Sequence, residues 1–211
     1  MSVLNLPRHP GLFSTTRLRL IVSHESTATL SDWLILLSAG VLAASSSMFL
    51  DLGIKQVPGH AILRVVLPMA AGLALVPRRG AGCVMATTAF LTGISLQMTG
   101  FKDEGQGVGA LTSLIATGPI LDWTLRRSKG GWRLYLAFAL SGLTSNLLAF
   151  AVRGGAKVLG WERGPKRGLE AWLAQASVTY VVCGLLAGLL SALILFYGRR
   201  RGEDLPEGAS L

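Results

Sequence analysis

Long apolar runs separated by short polar connections organise this chain, and the spacing of its charges marks the runs. No charged residue falls between Asp32 and Asp51, Arg79 and Lys102, Glu104 and Asp122, Arg133 and Arg153, or Glu170 and Arg199. Each run approaches or exceeds the ~18 apolar residues that carry a helix across a hydrocarbon core of about 30 Å. A sixth run, His60 to Pro77, is interrupted by Arg64 and Pro68 but is otherwise apolar. The pattern predicts an all-α, polytopic membrane protein, a bundle of six transmembrane helices. The spans are expected near Ser31–Leu52, His60–Pro77, Gly80–Gly100, Gly107–Leu125, Trp132–Val152 and Ala171–Gly198. This divides the chain into an N-terminal segment (1–29), a transmembrane domain (30–198) and a tail (199–211). The first apolar run starts only at Trp33 and is span-length, so it reads as an uncleaved anchor rather than a signal peptide.

Composition agrees, with 51% hydrophobic and only 15% charged residues, and the length leaves no room for a separate soluble catalytic domain. The 26 glycines suit helices that approach closely in lipid. A net charge of +9 would point to nucleic acid in a soluble protein. Here the basic residues sit in loops, where they set topology and meet anionic headgroups, and no nucleic-acid motif is present. With six spans and a cytoplasmic N-terminus, the inner loops and tails hold 12 Lys/Arg and the outer loops seven. If the Arg64 segment did not cross, the bias would reverse, so the charges favour six spans with both termini cytoplasmic. Cys83 and Cys183 lie inside spans with no CxxC, so neither a redox motif nor a zinc knuckle is expected.

Candidate site residues collect towards the predicted outer side. His60 and Arg64 share a helical face at (i, i+4) spacing. Arg64 is the costliest residue in the chain to place in lipid, at a few kcal/mol; it either snorkels outward or faces a cavity and an anionic ligand. Asp51, Gln56, Gln97, Asn146 and Gln175 fall on the same side, Trp161 and Trp172 are interface anchors or stacking rings, and Tyr180 is a further candidate stacking ring. Asp51, His60, Arg64, Gln97, Asn146, Trp172 and Gln175 form the expected substrate-binding set. The hydroxyls of Thr87 and Thr88 are weaker signals, because Ser and Thr in lipid bond back to their own helix. Asp122 is expected in a solvated pair with Arg126, and Gly184 and Gly188 form a GxxxG packing signature. On the first span, Ala39 and Ala43 make a face almost without side chains, which serves either internal packing or a partner helix.

Enzyme signatures are missing from the sequence. There is no GxxxxGK[ST] phosphate loop and no HExxH. Gly142-Leu143-Thr144-Ser145-Asn146 is the nearest approach to an intramembrane serine-protease site, yet its Ser and Gly are out of register and no His follows His60. The chain is read as a non-enzyme with no catalytic residues, no metal ligands and no cofactor.

The chain resembles the substrate-binding membrane subunit (S component) of an energy-coupling factor (ECF) transporter. The resemblance rests on six predicted helices in about 200 residues, on the Ala39-x-x-x-Ala43 face, and on Pro58-Gly59-His60-Ala61-Ile62-Leu63-Arg64 through Pro68. Leu75-Val76-Pro77-Arg78-Arg79-Gly80 at the end of the second span completes it, and residues 30–198 are covered. It implies that Ala39 and Ala43 contact a transmembrane coupling protein served by ATPase subunits. It also implies that outer loops close over a vitamin, cofactor precursor or metal, in the plasma or inner membrane. The metal-carrying branch begins with Met-His, whereas this chain begins Met1-Ser2-Val3 and has only His9, His24 and His60. A small organic solute is therefore expected. The competing readings are an autonomous small transporter or a membrane scaffold.

Overall fold

The computed structural model describes residues 29–50, 58–100, 107–127, 132–161 and 168–196. Within the described residues six helices follow one another: α1 (Leu30–Phe49), α2 (Ala61–Leu75), α3 (Ala81–Met98), α4 (Val108–Arg127), α5 (Trp132–Val158) and α6 (Leu169–Phe196). Five are long and apolar enough to cross a membrane; α2, at 15 residues, is the short exception. Their outward faces carry Leu37, Leu91, Leu136, Val178 and Ile194, all exposed. Their inward faces are rich in Ala, Gly and Ser. That distribution matches hydrocarbon outside and close helix contact inside. The chain is a multi-pass membrane protein.

Local chemistry sets the helix ends. α1 starts at a capping box just upstream of Ser31: the Asp32 amide donates to Thr29 Oγ1 at 3.2 Å, and the Thr29 amide donates to the Asp32 carboxylate at 3.1 Å. The far end of α5 lies beyond the expected Val152, because Gly154 and Gly155 stay helical and the stop comes at Gly160. There the Trp161 amide donates to Ala156 O at 2.8 Å and the Gly160 amide to Lys157 O at 3.2 Å. Gly160, at φ 74°, supplies the left-handed residue that this helix ending requires.

Each helix runs antiparallel to its predecessor. Ser46 and Leu50, late in α1, bond to Arg64, early in α2. Asp32 pairs at 2.8 Å with Arg78, between α2 and α3. The start of α1 and the end of α6 therefore share one end of the bundle, here the proximal end; the starts of α2, α4 and α6 mark the distal end. Neighbours in order α1–α3–α4–α5–α6 form a wall, and α2 closes it between α1 and α6 while reaching into the middle to touch α3, α4 and α5. Ile62, Val65, Val66, Met69, Ala70 and Leu73 of α2 are fully buried. The sequence interruption at Arg64 and Pro68 thus belongs to the innermost helix.

Glycines permit the tightest crossings. At α5–α6, a Cβ on Gly184 would lie 2.8 Å from Gly142 O, and one on Gly188 would lie 2.7 Å from Ala139 Cα. The GxxxG signature of α6 is therefore used within the chain. At α3–α4, Gly82 and Gly118 approach backbone to backbone. Beside that contact Asp122, only 5% exposed, accepts from the Gly82 and Cys83 amides at 3.0 Å each. The expected Asp122–Arg126 pair is thus corrected in one respect: Arg126 still attracts the carboxylate, but Asp122 is buried rather than solvated. Asp122 reaches across from α4 to satisfy amides that the first turn of α3 leaves open.

Candidate functional site

Among the described residues the distal end is stepped, and the step follows from helix length. Gly59, in the turn before α2, packs on α6 at Tyr180 and on α5 at Asn146: a Cβ on it would lie 2.9 Å from Tyr180 Cγ and 3.0 Å from Asn146 Nδ2. Its φ of 82° also calls for glycine. Tyr180 lies about 16 Å along α6 from Leu169, and Asn146 about 18 Å along α5 from Val158, at 1.5 Å per residue. The α5–α6 pair therefore rises well above the start of α2.

The face of α6 that packs on α2 continues upward past that start. Cys183 and Ala187 pack with Ile62 and Val66. One turn higher is Tyr180, then Ala176, then Trp172, at the i, i+4 spacing of one helical face. Phe150 of α5 joins them, its ring centroid 5.2 Å from Tyr180 and 6.2 Å from Trp172. Lys157 Nζ lies 5.2 Å from the centroid of the Trp172 ring, within cation–π range. The Asn146 amide is committed: its Nδ2 donates to Tyr180 O at 2.7 Å and ties α5 to α6 beneath the rings.

Arg64 lies one turn into α2, half-buried, and its Nη1 donates to Leu50 O. Because Pro68 has no N–H, the Arg64 carbonyl lacks its usual partner in the helix. Ser46 Oγ on α1 donates to that carbonyl at 2.8 Å and also lies 3.1 Å from Ala43 O. The two interruptions in the second apolar run thus become one junction between α1 and α2.

Of the expected site residues the structure brings Asn146 and Trp172 to this step, with His60 beside Gly59 at its base; Arg64 turns instead to α1. His60 is half-buried in the turn before α2. Gln175 is exposed on another face of α6, with Val178 and Val182, and turns away from the step. Gln97 is half-buried in the last turn of α3, which packs between α1 and α4. Asp51 and Gln56 lie outside the described residues. Ala39 (7% exposed) and Ala43 (0%) are covered by the bundle itself, Ala39 beside Gly72. The hydroxyls of Thr87 and Thr88 bond back to Cys83 O and Val84 O at 2.9 Å, as their weak weighting assumed. Sequence reasoning left Phe150 and Lys157 out of the site, and named Tyr180 only as a stacking ring. The (i, i+4) pairs Trp172–Ala176–Tyr180 and Phe150–Gly154 were the available signal.

Among the described residues no cluster of His, Cys, Asp or Glu is arranged to hold a metal ion. The chemistry at the step is a run of packed aromatic rings, Tyr180 buried beneath Gly59 and Phe150 and Trp172 half-buried, with Lys157 above and the His60 turn at its foot. Such a surface stacks flat rings and attracts negative charge. No protein-family model, curated protein or solved structure matches the chain.

Proposed function

We propose that the chain captures a small organic solute at the distal step for uptake, as the solute-binding membrane subunit of an ECF-type transporter. The carrying observation is the Tyr180–Phe150–Trp172 ladder, which continues above the start of α2 where that helix no longer covers α6. A flat, anionic vitamin or cofactor precursor suits it: the half-buried Phe150 and Trp172 supply stacking, and Lys157 and His60 supply positive or hydrogen-bonding groups. In this reading the distal end faces outward, both termini are cytoplasmic, and the membrane is the plasma or inner membrane. Uptake then draws on a coupling protein and ATPase subunits. With Ala39 and Ala43 covered, the coupling protein would approach α1 along Trp33, Leu37 and Val41, which share an exposed face.

The test is mass spectrometry of small molecules retained by the purified protein, followed by titration of the recovered compound. Trp172→Ala is expected to weaken binding by up to roughly tenfold, the equivalent of the 0.5–1.5 kcal/mol that an aromatic pair contributes. Gln175→Ala is expected to leave it unchanged. Equal affinities for wild type and Trp172→Ala would remove the ladder from the site.

A further inference from the structure

We propose that Ser141 and Ser145 of α5 hold one water molecule inside the bundle, against Ser113 and Thr117 of α4, and that this water ties α4 to α5. Both serines are fully buried, and neither hydroxyl has a hydrogen-bond partner among the described residues. Helical Ser and Thr elsewhere in the bundle behave differently. Thr88, Thr124 and Ser191 donate to the carbonyl four residues earlier, at 2.9, 2.9 and 2.7 Å. Ser141 lies about 14 Å along α5 from Trp132, and Ser145 about 20 Å, so both sit near the middle of a hydrocarbon core of roughly 30 Å. Bulk water does not reach that depth, and a buried hydroxyl without a partner is costly there.

Helix register supplies the other side of the site. α4 and α5 are antiparallel neighbours, and Gly109 packs on α5 where its Cβ would lie 3.2 Å from Ala149 O. One turn onward in α4 is Ser113, and one turn back in α5 is Ser145; a further turn brings Thr117 level with Ser141. Steps of four keep each series on one helical face. Ser113 (1% exposed) and Thr117 (0%) are as buried as the two serines. Their own hydroxyls donate within α4, Ser113 to Gly109 O at 3.1 Å and Thr117 to Ser113 O at 2.6 Å, which leaves both oxygens able to accept.

The donor and acceptor pattern selects water. Side chains four apart on a helix stand about 5–6 Å apart at Cβ, and one molecule bonded to both hydroxyls at about 2.7–2.8 Å spans that gap. The occupant accepts from two serine hydroxyls and donates to two oxygens of α4, which is the full hydrogen-bonding capacity of a buried water. A metal cation would take the serine lone pairs and leave both serine protons unplaced. Its charge would also lack a counterpart: α5 carries no carboxylate, and Asp122, the one in α4, accepts from the Gly82 and Cys83 amides. The water does between α4 and α5 what Asn146, the next residue along, does directly between α5 and α6.

The experiment compares the full-length protein with Ser141→Ala, Ser145→Ala and the double variant, each of which removes oxygen and adds no bulk. The unfolding constant is measured in mixed micelles titrated with a denaturing detergent. Each single substitution is expected to raise it about tenfold, the cost of breaking a buried hydrogen-bonded bridge. The double variant should go little further, because either change releases the same water. Radiolytic hydroxyl labelling, mapped by mass spectrometry, reads the water itself, since a buried side chain is oxidised only where water lies beside it. Labelling is expected in the wild type at Leu114 and Phe138, both 0% exposed and close in sequence to Ser113 and Ser141, and should be lost in the double variant. Single substitutions that leave the unfolding constant unchanged or lower it would overturn the proposal, because removing a dry, unpartnered hydroxyl relieves a cost. Single losses that multiply in the double variant would give each serine a partner of its own and overturn it too. Equal labelling of wild type and double variant would put the water elsewhere. Stabilisation by NaCl over choline chloride at equal ionic strength, lost in Ser141→Ala, would assign the site to a cation and overturn the water.

Discussion

The Ser46–Arg64–Pro68 junction yields a prediction with an internal control. Ser46→Ala removes the hydroxyl that donates to Arg64 O at 2.8 Å and leaves that carbonyl with no donor from α1. A buried or half-buried acceptor left unsatisfied costs about 1–3 kcal/mol, and the methyl of alanine adds no new contact to offset it. Pro68→Ala changes the reference. It restores an N–H one turn after Arg64, and that N–H now donates to the same carbonyl. In the Pro68→Ala background the serine hydroxyl is redundant, and Ser46→Ala should cost only a few tenths of a kcal/mol. The double-mutant cycle should therefore show a coupling of roughly 1–2 kcal/mol between two residues on different helices. Reversible unfolding in mixed micelles, titrated with a denaturing detergent and followed by tryptophan fluorescence, measures all four proteins. Additive effects within about 0.3–0.5 kcal/mol, the scatter for independent sites, would refute the account of how Pro68 is accommodated.

Two further outcomes concern the tight contacts. Asp122→Ala strands the Gly82 and Cys83 amides and should destabilise the fold by about 3 kcal/mol, with Asp122→Asn intermediate because one acceptor oxygen remains; the same unfolding titration reads both. Gly142→Val places a branched side chain where the α5 and α6 backbones meet and should cost at least the roughly 1–3 kcal/mol of an overpacked core. Thiol labelling checks it independently. In the wild type the exposed Cys83 should react while the buried Cys183 is protected; the variant should expose Cys183. An unchanged labelling pattern would mean that the crossing is looser than described.

Most of the fold was legible in the sequence because charge is expensive in hydrocarbon and marks span boundaries sharply. Each of the six predicted spans overlaps one observed helix, and the GxxxG of α6 does lie at a close crossing. The misses share a physical origin in contacts between distant residues. Asp122 read as half of a local ion pair, since nothing within its own helix announces that the first turn of α3 will be delivered to it. The fifth span was expected to end at Val152, before Arg153, but α5 continues through Gly154 and Gly155 to Val158. Ala39 and Ala43 announced close approach without saying to what, and the answer was α2 and α3. At the candidate site, His60 was conspicuous as a polar residue in an apolar run. Phe150 and Tyr180 were invisible as a pair because aromatic residues in a span look alike until helix lengths decide which faces lie uncovered.

The enclosure of α2 bears on how the protein is made. Alone in the translocation channel, this segment of 15 residues presents a guanidinium one turn from its start and a proline, and the arginine adds an insertion cost that reaches about 2.5–3.5 kcal/mol at a helix centre. Its hydrophobic length gives it little to set against that cost. Membrane entry must then wait for α1, whose Ser46 and Leu50 receive the polar groups, and biogenesis proceeds by release of a helical hairpin rather than of single helices. Glycosylation mapping should show α2 failing to integrate as an isolated segment and integrating once α1 precedes it.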